Sequence, residues 1–399
     1  MKKLRMIITA AAVITMLAGC SSTDKPVQEK PSRTSAAVSQ TAEQPEGTAE
    51  ATAEITTEPT EEAAPLTRAQ EILAVMTPEE KVGQLVIGRF PGENAAQDAQ
   101  TYHLGGFVMF ARDFEDKSPE EIRSEIAAIQ EESAVKMLFA VDEEGGNVVR
   151  VSKFAQYRDE PFPAQSEVLE SGGTEGVYGD AAEKAELLGK LGLNMNLAPV
   201  CDLPRDGSDY IANRAYSTQQ EEVSSAVGAA VSAYKSGNIV CVLKHFPGYG
   251  NNVDTHTGIS FDQRPLDEFR ALDFKPFAAG LEQGAPVVMV SHNIISCVDD
   301  TLPGSLSPEV YRLLREELGF SGVAMTDDIL MDAIGEYCGE DEAAVRAFNA
   351  GADLICCTGY ADAVTALREA VVSGEITQER LDESVLRILE IKLEYGIIE

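Results

Sequence analysis

The stretch IVCVLKHFPGYGNNVDTHTG, residues 239–258, decides the fold. It opens with five apolar residues, 239–243, that show no polar alternation, which is typical of a parallel strand buried on both faces. Lys244 and His245 follow directly, and then glycines and Pro247 break any helix or strand. The pattern predicts a buried strand that carries polar side chains to a loop at its carboxyl end.

Seven further apolar runs of the same kind occur along the chain, at residues 83–88, 105–110, 137–141, 195–200, 287–290, 322–325 and 353–356. Segments with the helical spacing of apolar residues separate them, at 120–132, 175–191, 219–235, 308–318, 342–350 and 361–372, and a last helix is predicted at 378–393. Gly192, Gly319 and Gly351 stand where helix C-caps belong. Eight strands that alternate with helices predict an α/β fold, a single (β/α)8 TIM-type barrel, with a doubly wound open sheet as the alternative.

Polar residues recur just past the carboxyl ends of the predicted strands. In a (β/α)8 barrel this end carries the active site, which is built from the βα loops. One charged residue after a strand is ordinary loop chemistry, but five such positions predict a functional mouth. The residues are Asp142, Asp202, the pair Lys244 and His245, His292, and Asp327.

The triplet Asp254-Thr255-His256 lies on the glycine-rich loop of the opening stretch. A carboxylate beside an imidazole orients the ring and raises its pKa, so that His256 can donate a proton near neutral pH and accept one afterwards. The alternative is a solvated polar loop in which the two residues coincide by chance. We expect Asp254 and His256 to form an acid/base dyad.

Asp327 lies near the end of GVAMTDD, residues 322–328, where a rigid strand holds its carboxylate. A carboxylate fixed in this way suits nucleophilic attack on an anomeric carbon. The alternative role is a carboxylate at the N-terminus of the next helix. Asp328 should point away from Asp327, because successive side chains of a strand alternate.

Four more residues are candidates for sugar binding at the mouth. Asp142, within FAVDEEGGNVVR at residues 139–150, can accept hydrogen bonds from two hydroxyl groups. Lys244, His245 and Arg214 can donate hydrogen bonds to the remaining hydroxyls. Each of them alone is better explained by a structural ion pair, but as a set around one pocket they are typical of a carbohydrate subsite.

The first twenty residues predict the compartment. Three basic residues precede an apolar run that is too short to span a bilayer, and the segment ends in the lipobox-like LAGC, residues 17–20. We expect a lipoprotein signal peptide, lipidation of Cys20 and anchoring at the extracytoplasmic face of a bacterial cell membrane. The alternative is an ordinary secretory peptide cleaved near residue 18 or 19. Residues 21–66 contain no aromatic residue and predict a disordered tether, which leaves residues 67–399 for the barrel.

Charge and cysteine content exclude some classes of partner. The formal net charge of −34 argues against nucleic acid and anionic lipid, because their phosphates attract Lys and Arg. The six cysteines after Cys20 match no zinc or disulfide framework, so we expect free thiols. Four of them, at positions 201, 241, 356 and 357, lie in or beside apolar runs, where Cys behaves as a small hydrophobe.

Taken together, the polar segments resemble those of one enzyme family. The segments are VDEEGGNVVR (141–150), NLAPVCDL (196–203), NRAYS (213–217), KHFPGYGNNVDTH (244–256), MVSHN (289–293), LGFSGVAMTDD (318–328) and RLDESVLRILEIKLEYG (380–396). From about residue 72 to residue 397 the chain resembles the catalytic barrel of the family 3 glycoside hydrolases, in the bacterial β-N-acetylglucosaminidase (β-N-acetylhexosaminidase) branch.

The resemblance implies a retaining exo-β-N-acetylglucosaminidase that releases terminal β-linked N-acetylglucosamine through a covalent glycosyl-enzyme. Asp327 matches the nucleophile of this family, His256 matches its acid/base, and Asp254 matches the partner of the acid/base. The sugar-binding positions of the family correspond to Asp142, Arg214, Lys244 and His245. Peptidoglycan fragments or chitin-like oligosaccharides are the implied substrates, and no metal or organic cofactor is implied.

Three residues depart from the family pattern: Tyr249, Asn251 and Asn147 stand where His, Asp and Arg are frequent. These changes could shift aglycone preference, but they remove neither catalytic group. A β-glucosidase or β-xylosidase of the same family usually takes its acid from a second domain and lacks the Asp-Thr-His triplet. Phosphorolysis stays open, because an imidazole repels phosphate less than a carboxylate does. A sugar-binding lipoprotein without catalysis is the alternative from a different class.

Overall fold

Eight parallel strands form the barrel in a computed structural model of the protein, which describes residues 66–255, 258–335 and 337–399. The strands are β1 Val86–Arg89, β2 Gly106–Met109, β3 Leu138–Val141, β4 Met195–Asn196, β5 Val240–Phe246, β7 Val287–Val290, β9 Val323–Thr326 and β10 Ile355–Cys357. All seven residues of β5 are buried, and the strand includes Lys244 and His245, so it runs further than the sequence predicts.

The strands follow the order β10-β1-β2-β3-β4-β5-β7-β9, and each pair is parallel. The two outer strands meet, because Met325 forms a parallel bridge with Leu354 and the Thr326 N–H donates to the Leu354 carbonyl at 3.0 Å. The predicted (β/α)8 barrel is confirmed, and the open-sheet alternative is wrong. Two further short strands, β6 Phe261–Asp262 and β8 Ile294–Ile295, pair in parallel outside the barrel.

Helices connect and cover the strands: α1 Arg68–Val75, α2 Pro78–Gln84, α3 Ala95–Tyr102, α4 Pro119–Glu132, α5 Gln165–Lys190, α6 Gln220–Ser236, α7 Leu266–Glu268, α8 Phe274–Glu282, α9 Pro308–Arg312, α10 Asp332–Gly335, α11 Glu340–Ala350, α12 Tyr360–Ser373 and α13 Gln378–Glu394. Phe269–Asp273 joins α7 to α8 as a π-helical segment, and Leu313–Glu317 extends α9 in the same way. The predicted C-cap glycines, Gly192, Gly319 and Gly351, all have positive φ. This conformation ends a helix at little steric cost for glycine.

The first strand begins later than predicted, because α2 includes Gly83. A capping box starts this helix: the Thr77 side chain accepts from the Glu80 N–H, and the Glu80 side chain accepts from the Thr77 N–H. A Cβ at Gly83 would lie 2.2 Å from the Tyr102 carbonyl oxygen. The helix therefore needs glycine for close packing, and this glycine is not the start of a strand.

The final helix, α13, packs across the amino-terminal end of the barrel. Its Arg380 and Arg387 contact the buried carboxylate of Asp353, just before β10. Its Lys392 donates to Gln84, just before β1, at 2.7 Å. These contacts close the end of the barrel that lies opposite the predicted mouth.

The predicted signal peptide, Cys20 and all but the last residue of the predicted tether lie outside the described residues. Among the residues that are described, no helix is both long and apolar enough to cross a membrane. The six cysteines after Cys20 are free thiols, as predicted.

Candidate active site

A cavity of about 390 Å³ lies at the carboxyl ends of the barrel strands. Asp142, Arg214, Lys244, His245 and Asp327 all contribute to its wall. The structure therefore brings together five residues that lie up to 185 positions apart in sequence. They meet at the end of the barrel where the sequence places the mouth.

Asp327 directly follows β9 and is half-buried in the cavity wall. Its N–H donates to the Val290 carbonyl at 3.1 Å, which fixes its backbone to the neighbouring strand. The adjacent Asp328 accepts hydrogen bonds from the Leu330 N–H and from the N–H and hydroxyl of Thr358. The two acids therefore differ, because Asp328 caps the following turn while Asp327 is held at the strand end beside the cavity.

Lys244 is a buried cation between two carboxylates. Its Nζ donates to Asp142 Oδ1 at 2.8 Å and to Glu144 Oε1 at 2.6 Å. Burial disfavours its charge, but Asp142 and Glu144 more than offset this effect and raise the pKa of Lys244 above its ordinary value. An ammonium group has three N–H donors, so one remains for a ligand. Asp142 is the more exposed of the two acids, and it can accept from a hydroxyl group in the cavity.

Glu144 is a buried carboxylate that pairs with two cations of the cavity wall. Arg214 donates to it through Nε at 2.9 Å and through Nη2 at 2.7 Å, a two-point contact that fixes the guanidinium plane. Burial opposes ionisation of Glu144, but Lys244 and Arg214 overcome that effect and hold its pKa well below the usual range. Glu144 was not predicted from the sequence, although its position two residues after Asp142 was a usable signal.

His245 has both ring nitrogens in contacts with the protein. Nδ1 lies 2.7 Å from Asp202 Oδ2, and Nε2 lies 3.3 Å from Arg214 Nη2. Because a guanidinium only donates, Nε2 accepts and Nδ1 donates to Asp202. His245 therefore links Asp202 to Arg214 in the cavity wall, and its role in binding a sugar hydroxyl stays a prediction.

Tyr249 fixes the first half of the glycine-rich loop. Its N–H donates to Asp202 Oδ1 at 2.8 Å, and its ring packs edge-on against His245 with 5.2 Å between centroids. Its hydroxyl lies 2.6 Å from the hydroxyl of Thr255, the middle residue of the predicted triplet. Burial, and to a smaller extent the charge of Asp327, raise the pKa of Tyr249, so the phenol keeps its proton.

Tyr210 lies near Asp254, the first residue of the triplet. Burial raises the pKa of the Tyr210 phenol, and the nearby charges of Arg214 and Asp254 act on it in opposite directions. His256, the predicted acid/base, lies outside the described residues. The sequence did not predict Tyr210, which lies in a short 3-10 helix without a recognisable motif.

Arg264 holds the glycine-rich loop after β5 through hydrogen bonds and ion pairs. It donates to the Gly248 carbonyl at 3.0 Å, to Asp262 at 2.6–3.0 Å and to Asp273 at 2.9–3.0 Å. Gly250 has φ +55°, and a Cβ there would lie 2.5 Å from the Arg264 guanidinium carbon. Glycine is therefore required where the loop crosses this arginine.

Two of the predicted strand-end residues support the site without lining the cavity. Asp202 is fully buried and holds His245 and Tyr249, as described above. His292 lies 2.7 Å from the Ser305 hydroxyl and 3.0 Å from the Asp328 carbonyl oxygen. Within the part of the chain that the structure describes, no group of three or more His, Cys, Asp or Glu residues could hold a metal ion.

The profile described as "Glycosyl hydrolase family 3 N terminal domain" matches residues 77–391, which is most of the chain. The chain belongs to glycosyl hydrolase family 3. The family predicted from the motifs is therefore confirmed, and the matched residues cover the whole barrel.

Two β-hexosaminidases are similar to this chain over about two thirds or more of its length. A β-hexosaminidase of Stenotrophomonas maltophilia is 36% identical over 282 residues, which cover 68% of this chain and 82% of that protein. β-Hexosaminidase A of Pseudoalteromonas piscicida is 29% identical over 327 residues, or 73% of this chain. The match spans only about half (53%) of that longer protein.

A solved structure of a family 3 β-N-acetylglucosaminidase from Paenibacillus has a TM-score of 0.76 to this chain at 32% identity. The superposition covers 81% of this chain and 63% of the Paenibacillus chain. The barrel described above is thus also the architecture of a family member with a named activity.

Proposed function

We propose that the protein is a retaining exo-β-N-acetylglucosaminidase that uses Asp327 as its nucleophile and His256, with Asp254, as its acid/base. The observation that carries this proposal is the position of Asp327, which is held at the end of β9 in the wall of a polar cavity. The names of the related β-hexosaminidases and of the Paenibacillus β-N-acetylglucosaminidase support the sugar.

In the first half-reaction the terminal sugar binds with its hydroxyl groups near Asp142 and Lys244. Asp142 accepts from hydroxyl groups, and the third N–H of Lys244 donates to a hydroxyl oxygen. The Asp327 carboxylate then attacks the anomeric carbon and forms a covalent glycosyl-enzyme. The bond to the aglycone oxygen breaks, and this oxygen takes a proton from the His256 imidazolium.

In the second half-reaction the neutral imidazole of His256 takes a proton from water, and the water oxygen attacks the anomeric carbon. The bond to Asp327 breaks and the carboxylate is restored. Two displacements on one carbon give a product with the β configuration of the substrate.

We also propose that the natural substrates are peptidoglycan fragments or chitooligosaccharides. The enzyme would be anchored to the outer face of the cell membrane by a lipid on Cys20. The sequence of the signal segment supports this location. Labelled fatty acid should enter the wild-type protein and not the Cys20→Ser variant in bacterial cells. A wild-type protein that takes up no label would contradict lipidation.

The activity is tested with 4-nitrophenyl N-acetyl-β-glucosaminide and with the plain β-glucoside. We expect turnover of the first substrate and little of the second. Asp327→Asn should lower kcat about 1,000-fold or more, because the nucleophile is lost. Asp332→Asn, an exposed acid five residues further along the chain, is the matched control and should leave the rate unchanged.

Product analysis separates the remaining alternatives. Nuclear magnetic resonance of the first-formed sugar should show the β anomer, and an α anomer would exclude the double displacement. Reactions with and without inorganic phosphate should give the same free sugar, and a sugar phosphate would instead indicate phosphorolysis. Binding of N-acetylglucosamine without turnover of any glycoside would indicate a sugar-binding lipoprotein.

A further inference from the structure

Asp328, the residue after the proposed nucleophile, is held by side chains from the two strands that flank β9. Its carboxylate accepts from the Thr358 hydroxyl at 2.7 Å and from the Thr358 N–H at 3.3 Å, just after β10. Its backbone carbonyl oxygen lies 3.0 Å from Nε2 of His292, two residues after the end of β7. The strands β7, β9 and β10 are neighbours in the barrel, so three adjacent strand ends meet at this one residue.

The two contacts of the His292 ring determine which nitrogen donates. A carbonyl oxygen only accepts, so Nε2 carries a hydrogen and donates to the Asp328 carbonyl. In the neutral ring Nδ1 then accepts from the Ser305 hydroxyl, which lies 2.7 Å away. His292 and Ser305 are both fully buried, so a rotation of the ring would leave buried polar groups unpaired. His292 is therefore a donor fixed in one orientation.

Asp328 in turn bonds directly to the proposed nucleophile. Its N–H donates to Asp327 Oδ1 at 2.9 Å. A carboxylate that accepts from the N–H of the next residue is restricted in its rotation, so the direction of this N–H sets the direction of the carboxylate. Attack on the anomeric carbon requires a carboxylate oxygen in line with the breaking bond, and a misplacement of about 1 Å can cost about 100-fold in rate. The position of Asp328 therefore matters for the chemical step.

We propose that Thr358 and His292 are positioning residues for the nucleophile: they hold Asp328, and the Asp328 N–H aims the Asp327 carboxylate at the anomeric carbon. We call these three supporting residues, Thr358, Asp328 and His292, the clamp. The inference rests on the proposed function. Because the clamp acts on the nucleophile and not on the sugar hydroxyls, weakening it should slow the reaction and leave the binding of the sugar unchanged.

The test uses Thr358→Val in the full-length protein, because valine has nearly the shape of threonine and lacks the hydroxyl donor. We expect kcat on 4-nitrophenyl N-acetyl-β-glucosaminide to fall about tenfold, as loss of a hydrogen bond to a charged group gives. The inhibition constant of N-acetylglucosamine should stay within about twofold of wild type, since the product needs no nucleophile to bind. Asp327 takes part in both half-reactions, so kcat reports its position whichever step is slower.

Two further threonine variants separate the hydroxyl from the fold. Thr358→Ser keeps the donor and should bring kcat back to within about twofold of wild type. Thr365→Val removes a hydroxyl that bonds the Ala361 carbonyl on the exposed face of α12, and as the matched control it should leave kcat unchanged.

His292 is tested in the same assay. His292→Leu should lower kcat about tenfold as well, and His292→Gln, whose amide N–H can donate to the same carbonyl, should recover part of the loss. Urea unfolding shows whether each variant is folded, and Thr358→Val carries the test if His292→Leu is not.

Three outcomes would overturn the clamp. The first is a wild-type kcat in Thr358→Val, and the second is a loss of kcat that Thr358→Ser does not restore. The third is an equal loss of kcat and of affinity for N-acetylglucosamine, since the Thr358 hydroxyl would then bind the sugar itself. Failure of the wild type on 4-nitrophenyl N-acetyl-β-glucosaminide would instead reject the proposed function, so the two failures are distinguishable.

Discussion

At the scale of single residues, the site depends on a carboxylate that need not touch the sugar. Glu144 is buried and bonds both Lys244 and Arg214, so it determines where these two cations lie. Asp142, two residues earlier, faces the cavity instead. Glu144 thus supports the cavity wall, whereas Asp142, two residues earlier, has the proposed role in binding.

Glu144→Gln should therefore destabilise the protein, because it leaves two buried cations short of a counter-charge. We expect a loss of about 3 kcal/mol in the free energy of unfolding, measured with urea, together with a large fall in kcat/KM. Asp142→Asn is the comparison: it should lose activity with a much smaller loss of stability. If Glu144→Gln unfolds at the wild-type urea concentration, the ion cluster does not hold the site together.

We predict that the phenol of Tyr210, which lies near Asp254, tunes the acid/base by donating a hydrogen bond to that carboxylate. A donor on the Asp254 carboxylate stabilises its negative charge and weakens its hold on the His256 imidazolium. Tyr210→Phe should then raise the pKa of the imidazolium and move the basic limb of the kcat/KM profile up by about half a pH unit. Tyr249→Phe removes the contact between the Tyr249 and Thr255 hydroxyls and removes no contact with a carboxylate. The basic limb of its kcat/KM profile should therefore stay at the wild-type pH. A shift in both variants would point to a general change in the loop.

At the scale of elements, the loop after β5 depends on Arg264. This arginine bonds the Gly248 carbonyl and two buried carboxylates, Asp262 and Asp273. The loop therefore rests on an ion cluster formed by residues that follow it in sequence.

Arg264→Gln should cost about 3 kcal/mol of stability and lower kcat/KM, because the buried Asp262 loses its cationic partner and Asp273 keeps only Arg205. Arg264→Lys should recover little, since an ammonium group cannot reproduce the planar set of donors. Thermal unfolding and steady-state kinetics check both variants. Arg270→Gln breaks an exposed pair with Glu317 and should change stability by less than about 1 kcal/mol. Wild-type kinetics in Arg264→Gln would show that the loop does not need this support.

The strands were predictable from sequence and several contacts of the site were not, for a physical reason. A strand that is buried on both faces, such as β5, appears in the sequence as a run of consecutive apolar residues, because its side chains are apolar until the strand reaches the mouth of the barrel. Tyr210 packs against Tyr249, which lies 39 positions further along the chain, and nothing in the sequence around Tyr210 distinguishes it. The late start of β1 could have been predicted from the sequence, since Thr77 and Glu80 form a capping box, which indicates the start of a helix.

At the scale of the whole molecule, one buried lysine links stability to pH. Lys392 of α13 is fully buried and donates to Gln84, and burial lowers its pKa to about 7. In the unfolded chain its pKa is the ordinary value of about 10.4. Between these values the unfolded state binds more protons, so this group makes stability rise with pH, and below pH 7 the full penalty of a buried charge applies.

Lys392→Met should therefore help stability more at pH 6 than at pH 9.5. We expect the variant to gain about 3 kcal/mol relative to wild type between the two conditions, while the lost bond to Gln84 costs the same at both. Urea unfolding at each pH measures the difference. Lys190→Met, an exposed lysine of α5, should show no such gain. A pH-independent difference for Lys392→Met would mean that the buried amine titrates normally.

The described part of the chain starts and finishes at the same end of the barrel. Helix α1 packs on α13, and the Arg68 Nε donates to the Glu399 carbonyl at 3.1 Å. The two ends of the described range, residues 66 and 399, thus lie at the end opposite the cavity. A protein attached to a bead or a sensor surface through its last residue would keep its entrance turned outward. Immobilised enzyme should then accept large, branched glycans as readily as the enzyme in solution does.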